Sequence, residues 1–486
     1  MKNYQLLSAG LLALFAPILQ AKQDISSNIF RDGDVFGLVG DSITHGGFYT
    51  EPLLNFYATR FPNTRLLIKN FGISGDTCQG ILTRYQDDIK PVKADVYSFM
   101  SGMNDVGEAK NDDERNSRRN NYIKTHAQVC ELLAKNSRKF IVFTPSIYDE
   151  LSKGKTKVFV GRNSDLRNFA DICRTDAKKF NAELVDMWGT TNYANEQFGK
   201  IAPEKSVLSA DRVHPVGAGG YVMASAFIST LEKPTAVSEI EIDVSKHTGN
   251  ASVVKAFNSD VSDLNTVLQK ARVKAPKGVY EKTLKRNTRI SQQIYSLSFK
   301  AFEYALPLYV VPNKKEAESI VKFAEKFNRQ ILKISGLYMA QNYELFIDGI
   351  KVGEFSGVQF AEGVNLAKIE TTPQMKQSKK VASLCTKFRE ASSKYRNIRA
   401  TERFFPALLK YNNADESVAC AKRILNGEEG KINPRYEKYF KKLLTAYQTY
   451  KLRQQQMSDD ADNVCKAVYA AAKPKAHLFE IKQVAR

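Results

Sequence analysis

Long apolar runs are missing from this sequence everywhere except at its start. Met1 to Ala21 carries a single charge, Lys2, around a nearly all-apolar core from Leu6 to Leu19, and Gln20-Ala21 precedes Lys22. That pattern reads as a secretory signal peptide whose core is too short to span a bilayer comfortably. No Cys follows the core, so a lipoprotein anchor is not expected, and no later stretch is long enough for a transmembrane anchor. The expectation is an exported protein, periplasmic or extracellular. Paired cysteine spacing is also missing. Cys78, Cys130, Cys173, Cys385, Cys420 and Cys465 are scattered, which argues against a zinc site or a compact disulfide framework. The five histidines (His45, His126, His214, His247 and His477) form no ligand cluster, so no metal and no cofactor is expected. Sustained heptads and internal repeats are absent, which excludes coiled-coil and solenoid architectures. Acidic residues are in deficit, 52 against 72 Lys and Arg, for a formal charge of +20. In an exported protein that excess points toward anionic polysaccharide or an anionic cell surface rather than nucleic acid, or else is a Lys-rich solvated surface with no such partner.

What is present is an alternation of two periods from Asp34 to about Leu231. Short β-rich runs cover Val35 to Val39, Arg65 to Asn70, Asp95 to Met100, Lys139 to Thr144 and Glu183 to Met187. Between and after them, helical spacing covers Tyr49 to Arg60, Asn120 to Asn136, Ser164 to Phe180 and Val216 to Leu231. Five strands alternating with helices predict an α/β domain, a parallel sheet covered on both faces.

The chemistry-bearing residues fall just past strand ends, where α/β proteins bind ligands. Strand one stops at Gly40, and Ser42 stands two residues on, before a helix. A hydroxyl there can attack a carbonyl if a base and an oxyanion site are near. Strand two runs into Asn70-Phe71-Gly72-Ile73-Ser74-Gly75-Asp76-Thr77, whose glycines let the backbone turn and present N–H groups. The Lys-Ser/Thr ending of a phosphate-binding loop is missing. Strand three ends in Ser101-Gly102-Met103-Asn104-Asp105, a neutral amide donor on the same edge. Asp211-Arg212-Val213-His214 puts an acid three residues before a histidine, so that the carboxylate can orient the imidazole. His45 is read as a pocket-lining or turn residue; His126, His247 and His477 are read as structural or exposed.

These four blocks in this order resemble the SGNH (GDSL) hydrolases over roughly Asp34 to Leu231. Gly40-Asp41-Ser42 is similar to the family's nucleophile block, with Ile43 where Leu is usual. Asn70 to Thr77, Gly102 to Asp105 and Asp211 to His214 resemble the other three. The resemblance implies a flavodoxin-like three-layer α/β/α fold with a five-stranded parallel sheet, spanning residues 30–233. It also implies Ser42 as nucleophile, His214 as base, Asp211 as its orienting acid, and Gly75 and Asn104 as oxyanion donors. Its members include carbohydrate acetylesterases, arylesterases, thioesterases and lysophospholipases. By analogy with those members, export and the polar segment Glu108 to Asn121 fit small acyl groups on a glycan. A lipid-directed esterase and a non-catalytic glycan-binding protein on the same scaffold are the alternatives.

After Leu231 the pattern changes. Short strands are expected at Glu239 to Val244, Ser252 to Phe257, Tyr295 to Phe302, Leu306 to Val311, Ile331 to Ile334 and Tyr343 to Ile347, with helices at Val261 to Lys274 and Lys315 to Arg329. Tyr343 to Phe355 alternates around Asp348-Gly349 and predicts a hairpin. A β-rich accessory module, a sandwich, is expected over 238–372. Its stretch Tyr343 to Ala367 resembles C-terminal regions of some exported bacterial SGNH-type hydrolases. From Pro373 to the end the periodicity is helical, with Lys and Arg on the polar positions.

Overall fold

The computed structural model describes residues 26–153, 156–243, 248–252 and 296–484. The expected signal peptide, the helix at Val261 to Lys274, most of the strand at Ser252 to Phe257, and His247 lie outside the described residues.

The first domain is built on strands β1 (Val35–Gly40), β2 (Leu67–Gly72), β3 (Val96–Met100), β4 (Lys139–Phe143) and β5 (Glu183–Val185). All pairings are parallel and the spatial order is β2-β1-β3-β4-β5. This is the flavodoxin-like order, in which the chain reverses direction across the sheet beside β1 and leaves a crevice at the strand ends. Side-chain alternation explains the three layers. Phe36 and Leu38 of β1 share one core with helices α2 (Thr50–Arg60) and α8 (Ala218–Leu231). Val39 points the other way, into a core with α3 (Cys78–Arg84), α5 (Asp112–Lys135) and α6 (Arg162–Lys179). Helices α3 and α7 (Met187–Ile201) are absent from the sequence reading. Each is started by a side-chain cap, Thr77 on the N–H of Gly80 and Asp186 on that of Gly189.

The second half holds two four-stranded sheets. One has the order β11 (Ile350–Ser356), β10 (Asn342–Ile347), β13 (Ala476–Gln483), β8 (Ser296–Phe302). The other runs β12 (Val364–Asn365), β9 (Gln330–Ser335), β6 (Ser238–Asp243), β7 (Thr248–Ser252). Ile240, Leu332, Phe299, Leu345 and Ile481 share one buried core, so the two sheets face each other as a sandwich. The hairpin turn has Asp348 and Gly349 both at positive φ, 51° and 75°, as a two-residue turn requires.

Three segments differ from the sequence expectation. Leu306 to Val311 is not a strand. Its backbone is satisfied instead by the carbonyl of Thr59 at the end of α2 and by both ends of the Asn328 side-chain amide. The helix at Lys315 to Arg329 is broken at Lys322 (φ 49°) into Lys315–Val321 and Phe323–Phe327. The C-terminal region is not helical throughout, because β13 returns to pair between β10 and β8.

The long helix Pro373–Phe404 packs on the first domain. Its Val381, Cys385 and Phe388 belong to the same core as α2, together with Cys465, Val468 and Tyr469 of Gln454–Ala472. Arg396, 1% exposed, forks onto Asp88 at 2.8 and 2.7 Å, and Arg389 Nε reaches Glu51 at 2.9 Å. All six cysteines are buried thiols, none in a disulfide.

Candidate active site

Ser42 opens a single-turn helix, α1 (Ser42–Gly46), directly after β1. The turn is tight enough to need glycine. A Cβ on Gly40 would stand 2.7 Å from the Met100 carbonyl, and one on Gly72 would stand 2.2 Å from the backbone nitrogen of His45. Asp41 caps α1 by accepting from the N–H of Ile43 at 2.9 Å. It is fully buried, and burial pushes its carboxyl up to about 7. Asn70 stitches β2 to α1, donating to the carbonyls of Thr44 and His45 and accepting from the N–H of Gly72.

The loop before α8 brings the other two members in. His214 Nε2 lies 2.8 Å from Ser42 Oγ, and His214 Nδ1 lies 2.6 Å from Asp211 Oδ2. The second oxygen of Asp211 accepts from Ser209 Oγ and from the backbone N–H groups of Val213 and His214. Burial opposes a charge on His214, but the hydrogen bond to Asp211 and the Asp211 and Asp41 charges outweigh it, so its pKa is raised. Burial likewise opposes ionisation of Asp211, and the bonds from His214 hold its carboxyl well below the usual carboxylate range. A serine so placed can pass its proton to the imidazole, and the imidazolium is held in orientation by the acid.

The chain between Asp211 and His214 is held in place by a residue the sequence reading passed over. Arg212 has φ 68° and is 3% exposed. Its guanidinium donates to the carbonyls of Thr156, Asp149 and Ser152 at 3.0, 3.0 and 2.9 Å, and its own carbonyl accepts from the N–H of Asp149. Three carbonyls thus offset the strain of a left-handed arginine. The only hint in the sequence is an arginine inside a site motif.

Gly75 and Asn104 stand at the neighbouring strand ends. Gly75 has φ 79°, which favours glycine, and it is exposed. Asn104, on α4 (Met103–Val106), donates one amide hydrogen to the carbonyl of Asp76 at 2.8 Å, which ties it to the Gly75 loop and leaves a second amide hydrogen. Asp105 locks the two loops together, accepting from the N–H groups of Cys78 and Gly102, and burial pushes its carboxyl up to about 6.

His45 is neither a simple turn residue nor a lining one. It is buried, its Nδ1 accepts from Ser74 N at 3.2 Å, and its Nε2 donates to the carbonyl of Ser393 at 3.2 Å. Burial, helped by the Arg396 charge, drives its pKa down to about 4, so the ring is neutral. It joins the Gly75 loop to the helix Pro373–Phe404. His126 and His477 are buried and paired with Asp176 and Asp348, both at 2.6 Å. Among the described residues, His126, Cys130 and Asp176 bring three ligand-type atoms within 4.8 Å of one another, between α5 and α6. The His126 and Asp176 atoms are spent on a direct hydrogen bond to each other.

Residues 38–220 match the family model for the GDSL-like lipase/acylhydrolase family. An acetylxylan esterase of Geobacillus stearothermophilus is 26% identical over 214 residues, 40% of this chain and 93% of that protein. The structure of a gut microbial diltiazem-metabolizing enzyme superposes with a TM-score of 0.77 at 21% identity, over 94% of this chain and 98% of that one. That likeness concerns the fold, and it runs through both halves of the molecule. No helix among the described residues is long and apolar enough to cross a membrane. Residues 38–220 form a domain of the GDSL-like lipase/acylhydrolase family, and the chain that carries it is a carboxylic ester hydrolase.

Proposed function

We propose that this protein is an exported serine esterase that removes small acyl groups, acetyl above all, from a carbohydrate. The observation that carries the reading is the unbroken hydrogen-bond chain from Asp211 through His214 to Ser42, 2.6 Å and 2.8 Å long. In this reading Ser42 Oγ attacks the ester carbonyl as His214 Nε2 takes its proton, and Asp211 stabilises the imidazolium. The N–H groups of Ser42 and Gly75 and the free amide hydrogen of Asn104 receive the oxyanion. His214 then protonates the leaving alcohol, and water releases the acyl group by the reverse sequence. Losing one such donor typically costs ~100- to 1,000-fold in turnover. The acetylxylan esterase relative supports the carbohydrate half of the proposal. Open access to the triad supports it too, with the side chains of His214 and Asp211 37% and 48% exposed. The apolar segment Leu6 to Leu19 supports export.

The test is hydrolysis of 4-nitrophenyl acetate, butyrate and octanoate, and acetate release from acetylated xylan, by wild type and Ser42→Ala. Activity that falls with chain length and vanishes in the folded mutant is expected. A mutant as active as wild type would remove Ser42 from the mechanism, and a preference for octanoate would move the substrate to lipids.

A further inference from the structure

The C-terminal helices place an aromatic cluster against the Gly75 loop. The helix Pro373–Phe404 ends on Phe404, and a Cβ on Gly75 would meet Phe404 Cζ at 3.4 Å. Arg403 Nε lies 3.5 Å from Asp76 Oδ1, which fixes that helix end beside the loop. Tyr439, on the helix Glu437–Tyr450, stands edge-on to Phe404, ring centroids 6.4 Å apart at 84°. Phe440 packs behind, 5.0 Å from Phe404 and 5.9 Å from Tyr436. Tyr439 and Tyr436 are 37% and 46% exposed, and they line an open groove of about 500 Å³ with Glu437, Lys438 and Lys442.

We propose that Phe404, Tyr439 and Tyr436 form the subsite for the alcohol half of the ester, and that this alcohol is a pyranose ring of an acylated glycan. The inference rests on the esterase reading of Ser42 and names what stands beside the scissile bond. Continuity decides the location, because Phe404 packs against Gly75 of the oxyanion loop and Tyr439 packs on Phe404. Shape decides which half of the substrate it receives, since the groove opens outward and a small acyl group needs no such space. Polarity decides the class. Tyrosine rings present an apolar face with a hydroxyl edge, and the charged rim suits a ring with many hydroxyls, whereas an acyl chain calls for a closed apolar channel. The C-terminal region then acts on the same ligand as the first domain.

The experiment compares kcat/KM on acetylated xylobiose, phenyl acetate and ethyl acetate for wild type, Tyr439→Ala, Tyr436→Ala and Tyr439→Phe. The ratio of xylobiose ester to ethyl acetate should fall about ten-fold in each Ala variant, and Tyr439→Phe, which keeps the ring, should hold it. Equal loss on both esters, or loss on neither, overturns the subsite. A wild type that cleaves phenyl and ethyl acetate but no acetylated sugar refutes the glycan reading. The phenyl-to-ethyl ratio then judges the subsite, a ten-fold fall supporting a ring site and no fall overturning it. If no ester is cleaved the esterase reading fails, and titration calorimetry with xylohexaose decides. Binding lost in Tyr439→Ala supports the groove, and no binding by wild type overturns it.

Discussion

His45 separates a positioning role from a basic one, because two histidines lie near Ser42 and only one of them touches it. In His45→Ala the backbone N–H of Ser74 and the carbonyl of Ser393 both lose their partner. A buried group left unsatisfied costs about 1–3 kcal/mol, so the two together cost about 2–6 kcal/mol, less whatever water entering the vacated space returns. Gly75 follows Ser74 directly, so that energy bears on the placement of the oxyanion donor proposed there. Complete loss of such a donor costs ~100- to 1,000-fold, and a misplacement of about 1 Å costs up to ~100-fold. The expected result is a kcat lower by about 10- to 100-fold with KM nearly unchanged, since the donor acts in the transition state. The pH profile supplies the discriminating readout. Burial and Arg396 hold His45 neutral down to about 4, so its removal leaves the inflection of kcat/KM where it was. The assay is steady-state hydrolysis of 4-nitrophenyl acetate from pH 5 to 9, with circular dichroism confirming the fold. Full kcat in the mutant, or an inflection that moves, would refute the reasoning.

The wild-type profile should rise with pH through an inflection above the ordinary histidine value of about 6.5, because the base must be neutral and the pKa of His214 is raised. In Asp211→Asn that inflection should drop and kcat should fall by about 10³- to 10⁴-fold, so unchanged turnover would exclude Asp211. Arg396→Met should lower stability at pH 7 by about 3 kcal/mol, read from urea unfolding, because Asp88 loses its forked partner and keeps only Arg84 and Arg399. Burial opposes the charge on Asp88, and Arg396 with the other arginines outweighs it, so its pKa is depressed. That stabilisation is present above the unfolded value of about 3.9 and is lost as pH falls through the folded one. The Arg396→Met deficit should therefore shrink toward pH 2, and a deficit independent of pH would rule out the ion pair as its cause.

Local rules carried the first domain. Strands β1 to β5 were legible because buried parallel strands are largely apolar runs, and the candidate site residues because Ser42, Gly75 and Asn104 lie just past strand ends while Asp211 and His214 share one short motif before a helix. Helices α3 and α7 escaped because a side-chain cap, not strong apolar periodicity, starts them. Leu306 to Val311 misled because its apolar residues pack on the first domain while Thr59 and Asn328 satisfy its backbone.

The sequence by itself determined the five strands of the first domain and the hairpin at Asp348-Gly349, and it singled out Ser42, Gly75, Asn104, Asp211 and His214 as candidate site residues, because period and turn chemistry act over a few residues. Only the tertiary structure decided that β13 completes a sheet begun at β8, that Ser393 reaches His45, and that Phe404 stands against Gly75. Those contacts join residues more than a hundred positions apart, and nothing in a local pattern encodes which apolar face meets which. The burial of whole helices selects the partner, and the site receives its outer wall as a consequence.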